Sequence, residues 1–169
     1  GNVGRKTIEI LEKSQISFKE LFLVASENSA GKKVKFREKE IVIENLENYD
    51  FSKAQITIFA AGSEVAKEWA PKASKKTIVI DNSSYVRMKK NITLVIPEVN
   101  PDAWDKHENI IANPNCSTMQ MVLVLKPLHD EYKIKRVVVS TYQAVSGAGK
   151  AAMDELFDQT KNFLDKKNI

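Results

Sequence analysis

The sequence predicts an α/β fold: a mostly parallel sheet with helices on both faces. Three observations predict it. Apolar, β-rich runs alternate with runs of helical spacing along the chain. Two of the apolar runs, Ala54 to Ala60 and Thr77 to Asp81, are nearly continuous, as in strands covered on both faces. Gly1-Asn2-Val3-Gly4 feeds directly into a helix, an arrangement that normally follows a strand in such folds.

Each element has a local reason. Thr7 to Lys13 sets Ile8 and Leu11 on one helical face. Glu20 to Ala25 reads as a strand. Lys33 to Glu44 reads as a hairpin, because Val34 and Phe36 alternate with lysines and Ile41 and Ile43 alternate again. Ala54 to Ala60 is a strand, Glu64 to Ser74 a helix, and Thr77 to Asp81 a second buried strand. A third strand is read in Glu108 to Ala112, with its core at Asn109 to Ala112. Met119 to Leu128 carries apolar residues at helical spacing. Ile134 to Thr141 is a long β-branched run, placed with the strands. Gly149 to Leu164 closes with an amphipathic helix.

The bulk numbers narrow the class. A chain of 169 residues fits one domain, or one domain and part of another. With 43% hydrophobic and 28% charged residues it is globular, not disordered. A single cysteine excludes an intramolecular disulfide. No apolar run approaches the roughly 20 residues that span a bilayer, and no basic, apolar leader is expected. A soluble cytoplasmic protein without a membrane partner is the expectation. The net charge of +4 is spread through pairs such as Lys32-Lys33, Lys75-Lys76, Lys89-Lys90 and Lys166-Lys167. Few aromatics are interleaved with them, so no nucleic-acid surface is expected. Two histidines and one cysteine at unrelated spacing indicate no metal site.

Asn113-Pro114-Asn115-Cys116-Ser117-Thr118 is the most informative stretch. It holds the only cysteine, between a short strand and a helix. A helix N-terminus leaves backbone N–H groups unpaired and favours negative charge. The thiolate is the nucleophilic form of cysteine. A lone cysteine is more often a small buried hydrophobe, but polar residues on both sides of this thiol count against simple core.

Five blocks together resemble the aspartate-semialdehyde dehydrogenase family. They are Ala25-Ser26-Glu27-Asn28-Ser29-Ala30-Gly31-Lys32, Asp81-Asn82-Ser83-Ser84-Tyr85-Val86-Arg87-Met88, Pro97-Glu98-Val99-Asn100, Asn113 to Thr118, and Ser140-Thr141-Tyr142-Gln143-Ala144-Val145-Ser146-Gly147-Ala148-Gly149-Lys150. No block is decisive alone; five in the family's order and spacing are specific. The resemblance implies a Rossmann-like NAD(P)-binding domain over 1–115, then the beginning of an α+β catalytic and dimerisation domain over 116–169. The family's chain is about twice as long. Together with the glycine turn that no strand precedes, this gives the expectation of a fragment lacking its first strand and most of the second domain.

The resemblance also implies a reaction, the interconversion of L-aspartate 4-semialdehyde and 4-phospho-L-aspartate with NADP and phosphate, on the route to lysine, threonine, methionine and isoleucine. Cys116 would be the nucleophile, passing through a thioester. Asn115 would position the carbonyl oxygen, and Gln143 would contact substrate near the thiol. Arg87 matches the family's phosphate-binding arginine, and a planar charged fork suits phosphate. Gly1 and Gly4, with Asn2 and Val3 between them, match the diphosphate-binding turn. Ser26, Asn28 and Ser29 fall where the family reads the adenosine ribose and its 2′-phosphate. The chain departs from the family at Asn28, where many members carry Arg, and Lys32 or Lys33 would then supply charge. Ala61-Gly62-Ser63 and Ser146-Gly147 fall at further cofactor positions.

The family's catalytic histidine, and the arginine that holds the substrate's α-carboxylate, belong to its second domain. Neither His107, in a polar run, nor His129, at a helix end, matches that histidine. A homodimer is implied. Two other readings stay open: an N-acetyl-γ-glutamyl-phosphate reductase-like enzyme, and a chain that only binds nucleotide or assembles with other subunits. The Gln143 block and the Ser83-Ser84…Arg87 block favour the dehydrogenase.

Overall fold

The computed structural model describes residues 1–104 and 109–166. His107, Glu108 and Lys167, each named above, lie outside the described residues. In chain order the elements are α1 (Asn2–Lys13), β1 (Leu23–Ala25), β2 (Lys33–Phe36), β3 (Lys39–Asn45), β4 (Ile56–Phe59), α2 (Ser63–Ala73), β5 (Ile78–Asp81), β6 (Ile110–Ala112), α3 (Cys116–Tyr132) and α4 (Lys150–Leu164). Strands alternate with helices through the centre of the chain, and the fold is the α/β, Rossmann-like one.

The strands form two three-stranded sheets, in the orders β1-β3-β2 and β4-β5-β6. In the second sheet all pairs are parallel, with Ile56 opposite Ile78 and Val79 opposite Ile110. In the first, β1 runs parallel to β3, and β2 and β3 make the expected antiparallel hairpin. Leu94 adds one parallel bridge to Ala112 outside β6. Asn100 closes the loop behind that bridge: its Oδ1 accepts from Ile96 N–H and its Nδ2 donates to the Leu94 carbonyl.

The core lies between α2 and the parallel sheet. Ala66, Ala70 and Ala73 present small faces of α2 to Val79, Val86 and Ala112, and Tyr49, Phe51 and Phe59 fill the side toward β1. Small residues on α2 let the helix approach the sheet closely at high packing density. Phe22, Val24 and Leu46 pack against the same cluster, which joins the two sheets through one core.

Several expectations change. Helix α1 starts at Asn2, not Thr7: Gly1 is its N-cap, so the glycine turn is the helix's own first turn. Ala54 to Ala60 is not covered on both faces: among the described residues β4 pairs with β5 alone, Phe59 is buried, and Ile56 and Ile58 are exposed in the cleft described below. Helix α3 starts three positions earlier than its apolar periodicity, because Asn115 caps it. Ile134 to Thr141 makes no strand, and Val137, Val138 and Val139 are exposed. A β-branched run becomes a strand only with a neighbour to pair with, and none is described beside it.

Candidate active site

The parallel sheet delivers two loops to one place. One leaves β5 at Asp81, the other leaves β6 at Ala112, and Asn113 N–H donates to the Asp81 carbonyl at 2.8 Å. Asp81 is fully buried. Its carboxylate accepts from the Ser83 N–H and the Ser83 hydroxyl, both at 2.8 Å, and the Ser83 hydroxyl in turn accepts from Tyr85 N–H. This Asx-type turn bends the chain back so that Arg87 faces the second loop. Arg87 Nε donates to the Asn113 carbonyl and Nη2 to the Asn82 carbonyl, both at 3.0 Å. The Asn113 amide donates to Asn82 Oδ1 at 2.7 Å.

Cys116 follows three residues after Asn113, as the first residue of α3, and its thiol is free and exposed. Asn115 Oδ1 accepts from Ser117 N–H at 2.9 Å, and the Cys116 sulfur lies 4.0 Å from the same oxygen. Asn115 therefore spends its oxygen on capping the helix, which leaves its Nδ2 as the group able to face a substrate oxygen. The arginine fork and the thiol thus belong to one connected loop pair.

A second region is a cleft of about 540 Å³ between β1 and β4, with α1 along it. Gly1, Gly4, Ser26, Ser29 and Ala61 line it, five of the expected cofactor residues. A Cβ on Gly1 or Gly4 would meet no protein atom within 4 Å, so the space it would fill is cleft. No side chain caps α1 and no acidic residue lies in its first turn. Among the described residues the N–H groups of Asn2, Val3 and Gly4 have no acceptor, at the positive end of a helix dipole, and these features fit a diphosphate.

Asn28 is exposed in the same turn without lining the cleft. Lys33 is engaged with Glu40 at 2.9 Å across the hairpin, whereas Lys32 makes no ion pair among the described residues. Gly62 caps α2 at φ +90°, and the Ser63 hydroxyl meets the Ser84 hydroxyl at 2.9 Å, tying the end of β4 to the Arg87 loop. Ser146 and Gly147 sit in a short 3-10 turn, Val145–Ala148, before α4. Gln143 is exposed and folds onto that turn: a Cβ on Gly147 would lie 2.2 Å from its Nε2. Asn2 Nδ2 contacts the Met153 sulfur at 3.4 Å, which brings α4 to the start of α1.

Sequence reasoning missed Asn82 and Asn113. Both stood in the quoted blocks, but nothing in the residue order showed that their amides would meet across 31 positions. His129 is in the last turn of α3, away from these groups in sequence, where a cation complements the helix dipole. Among the described residues no three His, Cys, Asp or Glu side chains gather to hold a metal, and no helix is long and apolar enough to cross a membrane.

Residues 1–107 match the family model described as semialdehyde dehydrogenase, NAD binding domain, and residues 125–169 the one described as semialdehyde dehydrogenase, dimerisation domain. The chain belongs to the semialdehyde dehydrogenase family. Among its relatives, an aspartate-semialdehyde dehydrogenase of Vibrio mimicus is 48% identical over 168 residues, 98% of this chain and 53% of that protein. The crystal structure of aspartate semialdehyde dehydrogenase II of Vibrio cholerae complexed with ASA superposes with a TM-score of 0.90 at 46% identity, over 98% of this chain and 50% of the other. A Candida albicans aspartate semialdehyde dehydrogenase structure with NADP matches at a TM-score of 0.66 and 27% identity, over 78% and 45%.

The chain spans about half the length of the curated relatives it matches. The expectation of a fragment lacking its first strand and most of a second domain is corrected in this: the match runs over 98% of the chain, and both family models are engaged, the dimerisation model by residues 125–169.

Proposed function

We propose that the whole protein is an NADP-dependent aspartate-semialdehyde dehydrogenase, converting L-aspartate 4-semialdehyde, phosphate and NADP to 4-phospho-L-aspartate and NADPH in the synthesis of lysine, threonine, methionine and isoleucine. One observation carries the reading: an exposed thiol at the first residue of α3, in the same loop pair as an arginine pinned by the Asn82 and Asn113 carbonyls. The relatives named above support the substrate.

The Cys116 thiolate adds to the aldehyde carbon, and the oxygen gains the negative charge. The backbone N–H of Cys116 and Asn115 Nδ2 face that charge. A bound nicotinamide would supply the hydride acceptor for that carbon. Cys116 then holds the acyl group as a thioester. Arg87 orients phosphate, whose oxygen attacks the acyl carbon, and the thiolate leaves as the acyl phosphate forms. Gln143 contacts the substrate, which requires its side chain to turn from Gly147.

The α1 N-terminus would hold the cofactor diphosphate through the N–H groups of Asn2, Val3 and Gly4, with Gly1 and Gly4 leaving room. Ser26, Asn28 and Ser29 would read the adenosine ribose and 2′-phosphate, with Lys32 nearby. Ala61, Gly62, Ser63, Ser146 and Gly147 would complete the site. We divide the chain between a nucleotide-binding domain, 1–115, and a catalytic and dimerisation domain, 116–169. The end of β6 and the start of α3 support that division. Pairing with a second copy through the latter is supported by its match to the dimerisation model and by exposed Phe157, Phe163 and Leu164. Phosphate-dependent NADP reduction, measured with and without aspartate semialdehyde, tests the reading. A protein that turns over only N-acetyl-γ-glutamyl phosphate, or binds nucleotide without turnover, would overturn it.

A further inference from the structure

Arg87 does not hold itself in place with carboxylates. Both of its described partners are main-chain carbonyls, of Asn82 and Asn113, which lie on different loops. A guanidinium carries more N–H donors than two carbonyls use, so the Nη1 edge remains for an anion. The direction of that edge depends on how far apart the two carbonyls sit. No side-chain substitution removes those carbonyls. Their spacing is set by the amide bridge from Asn113 Nδ2 to Asn82 Oδ1, 2.7 Å long, and by Asn113 N–H to the Asp81 carbonyl, 2.8 Å. The second of these is backbone and stays in any variant. The first is a side-chain choice, half-buried at both ends.

We propose that the Asn82–Asn113 amide bridge is a positioning device that fixes the Arg87 fork relative to the Cys116 loop. It rests on the reading above, in which Arg87 takes phosphate and Cys116 is the nucleophile. The bridge acts through geometry and touches neither substrate nor cofactor. Releasing it lets the two loops drift while both keep their own folds: the Asp81–Ser83 turn holds one, and the Asn115 cap holds the other. The result is a phosphate site of the right charge and the wrong aim.

The test is steady-state kinetics of the whole protein with Asn82→Ala, Asn113→Ala, the double variant, Arg87→Ala and Asn82→Gln. Each asparagine-to-alanine change is expected to raise the phosphate KM about tenfold while leaving NADP binding unchanged, since misplacing a binding group costs rate and affinity steeply. The double variant should be no worse than either single one, and in the Arg87→Ala background the alanine changes should add little, because one unit is being removed. Asn82→Gln keeps a neutral amide acceptor for Asn113 Nδ2 and should restore part of the phosphate KM. A purely structural role would lower phosphate and NADP affinity together and would not be rescued by Gln. That outcome, or unchanged phosphate KM in both alanine variants while Arg87→Ala raises it, overturns the proposal and leaves the dehydrogenase reading standing. If Arg87→Ala itself leaves the phosphate KM unchanged, the phosphate reading of Arg87 fails first and the proposal falls with it.

Discussion

Asn115 Oδ1 accepts the backbone N–H of Ser117 at 2.9 Å, so the residue before the only cysteine is the N-cap of the helix which that cysteine begins. The cap decides where α3 starts and therefore which end of the helix dipole the thiol meets. Asn115→Ala should cost about 1 kcal/mol in a urea melt, the usual price of a lost cap. Asn115→Asp should keep the stability, because aspartate caps as well, yet slow alkylation of Cys116 by iodoacetamide through like-charge repulsion of the thiolate. Equal alkylation rates in the native and Asp forms would show that the residue does not act on the thiol.

Gly147 is the counterpart of Gln143. A methyl group there would lie 2.2 Å from Gln143 Nε2, so Gly147→Ala must displace that side chain. Gln143 is exposed, and the change should alter stability by less than about 0.5 kcal/mol. Turnover of Gly147→Ala should stay near normal, because the substrate contact already requires Gln143 to leave that glycine. Gln143→Ala should lose turnover on the order of tenfold, since the amide has to be placed against substrate, and the double variant no more than Gln143→Ala. Normal turnover of Gln143→Ala would remove Gln143 from the site.

Ser29 lines the cleft together with Gly1, Gly4 and Ser26. Ser29→Asp should weaken NADP on the order of tenfold more than NAD, because a carboxylate there repels the 2′-phosphate. Calorimetric titration of both nucleotides checks it, and equal weakening would place the ribose elsewhere.

Glu9 bridges Lys13 and Lys6 on α1, at 2.8 Å to each. The hydrogen bond from Lys13, then that from Lys6, lowers its carboxyl from the ordinary 4.5 to about 2. A depressed carboxyl stabilises the folded helix above its ordinary value, and that support is lost as pH falls from about 4.5 toward about 2. The group is exposed, so salt should screen it. Carboxyl NMR titration should show the low midpoint at low ionic strength and a rise toward the ordinary value at high salt; a salt-independent midpoint would contradict the ion-pair origin.

Much of this was legible in residue order. The three parallel strands β4, β5 and β6 follow from apolar runs bounded by turns, and the place of Cys116 from a strand followed by helical spacing. What was not legible depended on partners. Ile56 and Ile58 look like buried strand residues but are exposed in the cleft, and exposure depends on what packs against the strand, not on the run itself. Val137 to Val139 carry strand propensity without a described neighbour. The two carbonyls that hold Arg87 come from different loops, and the Asn82–Asn113 bridge spans loops that only the parallel pairing of β5 and β6 makes adjacent.

The central claim is that Cys116 is the nucleophile, and the measurement that tests it most directly is phosphate-dependent NADP reduction by the whole protein carrying Cys116→Ser or Cys116→Asn. Both variants should keep the circular dichroism and melting behaviour of the parent, because the thiol is exposed and packs into no core. Both should lose at least about a thousandfold in turnover, since a hydroxyl offers far less anion and a poorer leaving group and an amide offers neither. Near-normal turnover in either variant would contradict the account.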